Sequence, residues 1–113
     1  VCMEISKQDI MRINEEFGGN LRNDASLDFA IQMQDNKRLG PYKKLAYLFR
    51  AILIDHPFSD GNKRTVMWVA YKFADEIDKK VDRDLLIHQI TSIASRNIQE
   101  IRNVEWRLKT AVK

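Results

Sequence analysis

LAYLFRAILIDHPFSDGNKRTVMWVAYKF, Leu45 to Phe73, decides the fold of this chain. Its first part carries Leu45, Leu48, Phe49 and Ile52 at helical spacing, and its last part carries Val66, Val69, Ala70 and Phe73 in the same rhythm. Between the two, His56 precedes Pro57. The proline ring excludes the residue before it from the helical region, so the first helix is expected to stop at Asp55. The second is expected to start after Gly61. Met67, Trp68 and Tyr71 widen its apolar surface, and a helix apolar on so many sides reads as the central, buried one.

Working outward, Pro41 suits the first position of the first of these helices, and the polar segment 32–42 before it, with Gly40-Pro41, reads as a loop. Near the start, Ser6 with Asp9 reads as the cap of a helix that carries Ile10, Ile13 and Phe17 on one face and ends at Gly18-Gly19. Asn23 or Asp24 can cap a short second helix with Leu27, Ala30 and Ile31 inward. Downstream, Asp82 can cap a helix carrying Leu85, Leu86, Ile90 and Ile93. Asn97 with Glu100 resembles a capping pair for a last helix with Ile101, Trp106 and Leu108 inward. Trp68 and Trp106 read as core; His88, among Leu86, Ile87 and Ile90, reads as structural or exposed. No strand pattern competes. The expected fold is all-α, a compact single-domain bundle of about six helices over residues 1–113, with the central loop between two core helices.

The composition, 44% hydrophobic and 31% charged over 113 residues, is that of a globular domain rather than a disordered chain. A net charge of +3 allows an anionic partner such as a nucleotide without demanding nucleic acid. The aromatics fall mostly at core spacing rather than between basic residues, which argues against nucleic acid as well. The one cysteine, Cys2, has no partner for an internal disulfide, which fits a reducing compartment. No apolar run approaches the ~18 residues of a membrane span, so no membrane partner is expected and the location is read as cytoplasmic.

The loop concentrates chemistry. A helix start leaves outward-pointing amides and a positive dipole end, which together attract anions. Here that start is Gly61-Asn62-Lys63, where Gly61 lets the backbone turn close to a ligand and Lys63 and Arg64 add positive charge. Asp60 would repel phosphate unless a cation lay between them, and Mg²⁺ held by one carboxylate plus substrate phosphates suits that arrangement. The imidazole of His56 is a general base able to take a hydroxyl proton. Phosphate site, metal ligand and base together describe transfer from a nucleotide to an alcohol. Each residue also has a plainer reading. His56 can be a helix-end histidine bonded to a carbonyl, Asp60 a helix cap, and Lys63 and Arg64 a solvated face.

HPFSDGNKR, His56 to Arg64, resembles the signature of the Fic/Doc family, His-x-Phe-x-Asp/Glu-Gly-Asn-Gly/Lys-Arg, and matches it at every fixed position. GGNLRNDASLDFAIQ, Gly18 to Gln32, is similar to the Doc-like pattern of Gly-Gly, Leu-Arg, a small turn, then Leu-x-x-Ala, so the resemblance covers most of the chain. It implies an all-α domain with the motif between two central helices. It also implies His56 as the base that deprotonates a target hydroxyl, and Asp60 as the Mg²⁺ ligand. Gly61, Asn62 and Lys63 would form the anion-binding turn, with Arg64 on a terminal phosphate of ATP. The segment Gln34–Tyr42 would correspond to the flap that aligns the target peptide.

Two positions bear on the reaction. Adenylylating members of the family usually have glycine where this chain has Lys63, and a second arginine where it has Met67. The Doc branch shares Asn-Lys-Arg-Thr without that arginine, whereas Gly61 is the Fic-type residue. The resemblance thus implies a Doc-like protein-modifying transferase that moves the γ-phosphoryl of ATP to a Ser or Thr hydroxyl of a target protein. In the Doc branch that target is a translation elongation factor, and the enzyme is the toxin of a toxin–antitoxin pair. No glutamate in the sequence is followed by Gly or Asn, as the family's built-in inhibitory helix requires, so inhibition would fall to a separate antitoxin protein. Adenylyl transfer is the alternative reaction. A non-catalytic helical module for protein or nucleic acid is the alternative of another class.

Overall fold

The computed structural model describes residues 4–113, so Cys2 lies outside the described residues. Six helices follow in order: α1 Lys7–Glu16, α2 Ala25–Met33, α3 Pro41–Asp55, α4 Asn62–Glu76, α5 Arg83–Ser95 and α6 Ile101–Ala111. Among the described residues there is no β-strand. Two single-residue antiparallel bridges, Leu21 with Phe58 and Val81 with Val112, are the only extended pairings there. No helix is long and apolar enough to cross a membrane among these residues.

The hub is α3 rather than α4. Leu45, Ala46, Leu48, Phe49, Ala51, Ile52 and Leu53 of α3 are all buried, and the helix packs against α2, α4, α5 and α6. On α4, Val66, Val69, Ala70, Phe73 and Ala74 face the core, but Met67 and Trp68 are only half-buried and Tyr71 is exposed. The apolar breadth of α4 therefore serves two surfaces, one inside and one outside.

Several expected helix ends are found. Ser6 Oγ accepts the Asp9 N–H at 3.1 Å and starts α1; Asp82 Oδ1 accepts the Leu85 N–H at 3.1 Å and starts α5. Pro41 is the first residue of α3. At α2 the roles divide. Asp24 holds the cap position, but its carboxylate binds Lys7 Nζ at 2.9 Å, and Lys7 also reaches Asp28 at 2.7 Å. That hydrogen bond keeps the Asp24 carboxyl below the usual carboxylate range. The Asn23 side chain accepts the Ala25 N–H instead.

Three expectations are corrected. Asn97 does not open α6: at φ 51° it closes α5, the Ile98 N–H donating back to the Ile93 carbonyl at 3.0 Å, and α6 begins after Glu100 without a side-chain cap. Asn tolerates this left-handed geometry, which is why it can end a helix as readily as begin one. Trp106 is 63% exposed. The inward stripe of α6 is Val104, Leu108 and Ala111, and Trp106 lies outside it. With Phe29 and Tyr71 also exposed, the aromatics are less confined to the core than their spacing suggests. Finally, α2 runs to Met33, so the loop before α3 begins only at Gln34. Gln34 is buried, taking the Ile5 N–H on Oε1 and giving Nε2–H to the Ile5 carbonyl.

Tyr42 joins the two ends of the bundle. Its hydroxyl donates to the Val112 carbonyl at 2.6 Å, and its ring meets Phe73 edge-on. Tyr42→Phe is expected to cost about 1 kcal/mol of unfolding free energy, the net worth of one such bond, read by urea denaturation. Burial raises the Tyr42 hydroxyl above its ordinary value. The folded state therefore holds this proton more tightly than the unfolded chain. Its contribution is constant below about pH 10 and is lost as pH rises through the folded value. The wild type should lose stability relative to Tyr42→Phe only on the alkaline side.

Candidate active site

The turn from α3 into α4 is held from two sides. His56 leaves the helix at φ 48°, ψ 63°, a left-handed conformation that ends α3 one residue before Pro57. Asn20–Asn23 then lies antiparallel to the loop. The Pro57 carbonyl accepts the Arg22 N–H at 2.7 Å, and the Ser59 N–H donates to the Asn20 carbonyl at 2.9 Å. The Asn20 N–H donates to Ser59 Oγ at 3.0 Å. Phe58 is buried and anchors the middle. On the other side, Asn14 of α1 sends Nδ2–H to the Asp60 carbonyl at 2.8 Å and to Thr65 Oγ1 at 3.1 Å, so one buried amide ties α1 to the loop and to α4.

The segment beside the loop is thus Asn20–Asn23. Gln34–Tyr42 sits at the far end of α3, about 22 Å away along a 15-residue helix. The chain returns past the loop immediately after Gly18-Gly19, so the residues around Leu21, and not Gln34–Tyr42, lie alongside the motif.

An open cleft of about 390 Å³ is lined by Phe17, His56, Ser59, Asp60, Gly61, Asn62, Lys63 and Arg64, so all six residues picked out in the sequence meet in one place. The side-chain hydrogen bonds of the loop are those of Ser59, Asp60 and Asn62, and none holds the imidazole of His56. His56 is exposed to the cleft. Asn62, Lys63 and Arg64 open α4, no side chain caps this end, and the first N–H groups of the helix have no helical acceptor. Lys63 and Arg64 are exposed and belong to none of the ion pairs among the described residues.

Two residues act differently from a simple anion turn. The Gly61 N–H donates to Asp60 Oδ1 at 2.8 Å. Glycine is required at 61 by its backbone, at φ 73°, and by crowding, since a Cβ would come 3.0 Å from Phe17 Cβ. The Asn62 side chain is turned onto the loop, donating to the Phe58 carbonyl at 3.0 Å and accepting from its N–H. Its main-chain N–H is the group left for an anion. Asp60 is exposed and keeps one carboxylate oxygen outside the bond to Gly61. Among the described residues no three His, Cys, Asp or Glu side chains gather as a metal cage. One exposed carboxylate beside an uncapped helix start would suit Mg²⁺ shared with phosphates rather than a closed protein site.

Phe17, Asn14 and Gly19 were missed as site residues. Asn14 had a visible signal, a polar residue one turn after Ile10 on an apolar face. Phe17, on the helix face it shares with Ile10 and Ile13, forms one wall of the cleft.

An all-α domain that presents a histidine, a carboxylate and a basic, uncapped helix start in one loop is a Fic-type protein-modifying domain. The chain belongs to the Fic/DOC family: the family model matches residues 4–74, which run from α1 into the last turn of α4 and include the whole cleft. Members of this family are typically enzymes that transfer nucleotide or phosphate groups to proteins. No curated protein and no solved structure matches the chain.

Proposed function

We propose that this domain is a Doc-like transferase that moves the γ-phosphoryl of ATP to a Ser or Thr hydroxyl of a target protein, and that it serves as the toxin of a toxin–antitoxin pair. Lys63 in the first turn of α4 carries this reading, together with Met67 one turn further on. A lysine there adds a point charge among the open amides, and methionine offers nothing to a phosphate one turn along.

In this mechanism His56 takes the proton from the target hydroxyl. The hydroxyl oxygen bonds to the γ-phosphorus as the bond from that phosphorus to the β–γ bridging oxygen breaks, and ADP departs with the electron pair. The main-chain N–H groups at the start of α4, with Lys63 and Arg64, hold the phosphates. Asp60 would hold Mg²⁺, which neutralises phosphate charge when bound. The target, by family resemblance a translation elongation factor, is proposed to lie beside Asn20–Asn23. A cytoplasmic location and a separate antitoxin complete the proposal.

Gly61, the Fic-type residue, favours adenylyl transfer as the second reading, with the same base and cleft. ATP labelled at the α or the γ position separates the two when the protein is incubated with cell extract. Label passing to a protein only from the γ position is the expected result. Label passing only from the α position would overturn phosphoryl transfer in favour of adenylyl transfer.

A further inference from the structure

Two grooves leave the phosphate cleft, one on each side of Arg64 and Met67. Between α4 and α5 runs a small aliphatic groove of about 140 Å³, with Ile87, Ile90 and Thr91 as its far wall. On the opposite side lies a wider hollow of about 400 Å³, walled by Phe17, Arg64, Met67, Trp68, Tyr71 and Arg83. Arg64, Met67, Trp68 and Tyr71 occupy positions i, i+3, i+4 and i+7 of α4, so they form one stripe along the helix. Met67 and Trp68 pack against the edge of the core and are half-buried, while Tyr71 is exposed, so the stripe is only partly covered by the fold.

We infer that this aromatic hollow is the subsite for the base of the nucleotide, which would extend from the phosphate cleft along α4. The inference rests on the nucleotide-transfer reading above and deepens it. Adjacency is the first ground: Phe17 and Arg64 line both the cleft and the hollow, so the two adjoin. Reach is the second. Trp68 lies about 10 Å along the helix axis from Gly61, at 1.5 Å per residue, a span suited to a phosphate chain and sugar. Chemistry is the third. Indole, phenol and guanidinium planes stack on any base, and the hollow offers Trp68, Tyr71 and Arg83, whereas the aliphatic groove offers no aromatic ring. Stacking reads a planar ring without selecting its edge, so ATP and GTP are expected to bind with similar affinity.

Tryptophan fluorescence tests the inference directly. Trp106 lies on α6, away from the cleft lining, so Trp106→Phe leaves Trp68 as the sole reporter. Mg²⁺-ATP is expected to change Trp68 emission saturably. Inorganic tripolyphosphate should compete with ATP yet change the emission little. Tyr71→Ala should weaken ATP about tenfold, within the range for loss of one stacking partner, and leave tripolyphosphate affinity unchanged. Both Tyr71 and Ile87 are exposed, so neither substitution threatens the fold. If Ile87→Ala weakens ATP and Tyr71→Ala does not, the base lies between α4 and α5; the inference is then overturned while nucleotide binding stands. If neither ATP nor tripolyphosphate binds the wild type, the inference falls together with the nucleotide reading.

Discussion

Replacing His56 by glycine is expected to lower transfer to a target protein by at least ~10²-fold, the smaller end of what a positioned general base contributes, while leaving the folded state as stable as before or more so. The two halves of this expectation come from different atoms. The imidazole is exposed to the cleft and is the general base proposed for the reaction. The backbone of the same residue stands at φ 48°, where a Cβ costs on the order of 1 kcal/mol and glycine costs little. The side chain has no hydrogen bond within the loop to lose. Glycine should therefore raise the unfolding free energy by up to about 1 kcal/mol, and nucleotide binding should persist, because the proposed phosphate site is the start of α4 and not the imidazole. Urea denaturation and label transfer on the same preparation check both halves. Retention of full activity would remove His56 from the chemistry. A clear loss of stability would mean that the left-handed turn is not strained. Such a residue, costly to the fold and suited to the reaction, is what strain stored at a functional site looks like.

Gly19→Ala should do the reverse, damaging activity by way of the fold. A Cβ at 19 would stand 2.3 Å from the Asp60 carbonyl oxygen and 2.3 Å from Asn14 Oδ1. Neither can move cheaply, since Asn14 is fully buried and the Asp60 carbonyl is held by its Nδ2–H. Relief requires the loop to leave α1, which breaks the bonds of Asn14 to both Asp60 and Thr65. Overpacking of this kind costs about 1–3 kcal/mol, and a shift of about 1 Å in a catalytic loop costs on the order of 10²-fold in rate. Gly18→Ala is the internal control. Its Cβ would meet nothing within 4 Å, so the penalty there is only that of a positive φ of 84°. Thermal denaturation of the two variants, with label transfer alongside, should show Gly19→Ala as the weaker and nearly inactive protein and Gly18→Ala as the active one. Equal activity in both would dismiss the contact between α1 and the loop as a requirement.

The two neighbouring glycines separate what is local in this chain from what is not. That a helix ends at Gly18-Gly19 is legible, because a left-handed residue after the last turn is a local demand. That the second glycine exists for lack of space beside Asp60 is not, because Asp60 is far away along the chain. The same division runs through the molecule. Ser6, Asp82, Pro41 and the His56-Pro57 pair announce helix ends correctly, each by a bond or a clash within a few residues. Asn97 misleads because one side chain can cap a start or tolerate a left-handed end, and only the neighbours choose. Trp106 misleads because hydrophobic spacing gives a helix its stripe but does not say how wide the covered strip is. Order along the chain puts Gln34–Tyr42 in the place of the flap, while hydrogen bonding puts Asn20–Asn23 beside the loop.

By itself, then, the sequence determined six helices, the loop between α3 and α4, and the set of His56, Asp60, Gly61, Asn62, Lys63 and Arg64 that share the cleft. All of these lie within one short segment or one helical period, where covalent geometry and local hydrogen bonding decide the outcome. Tertiary structure alone decided that α3 is the hub and that Asn14 and Asn20–Asn23 clamp the loop. It alone turned the Asn62 side chain onto Phe58 and gave α4 an aromatic outer stripe beside the cleft. Those arrangements depend on which buried surfaces meet across the fold, and apolar burial is non-directional: it drives residues together without naming their partners.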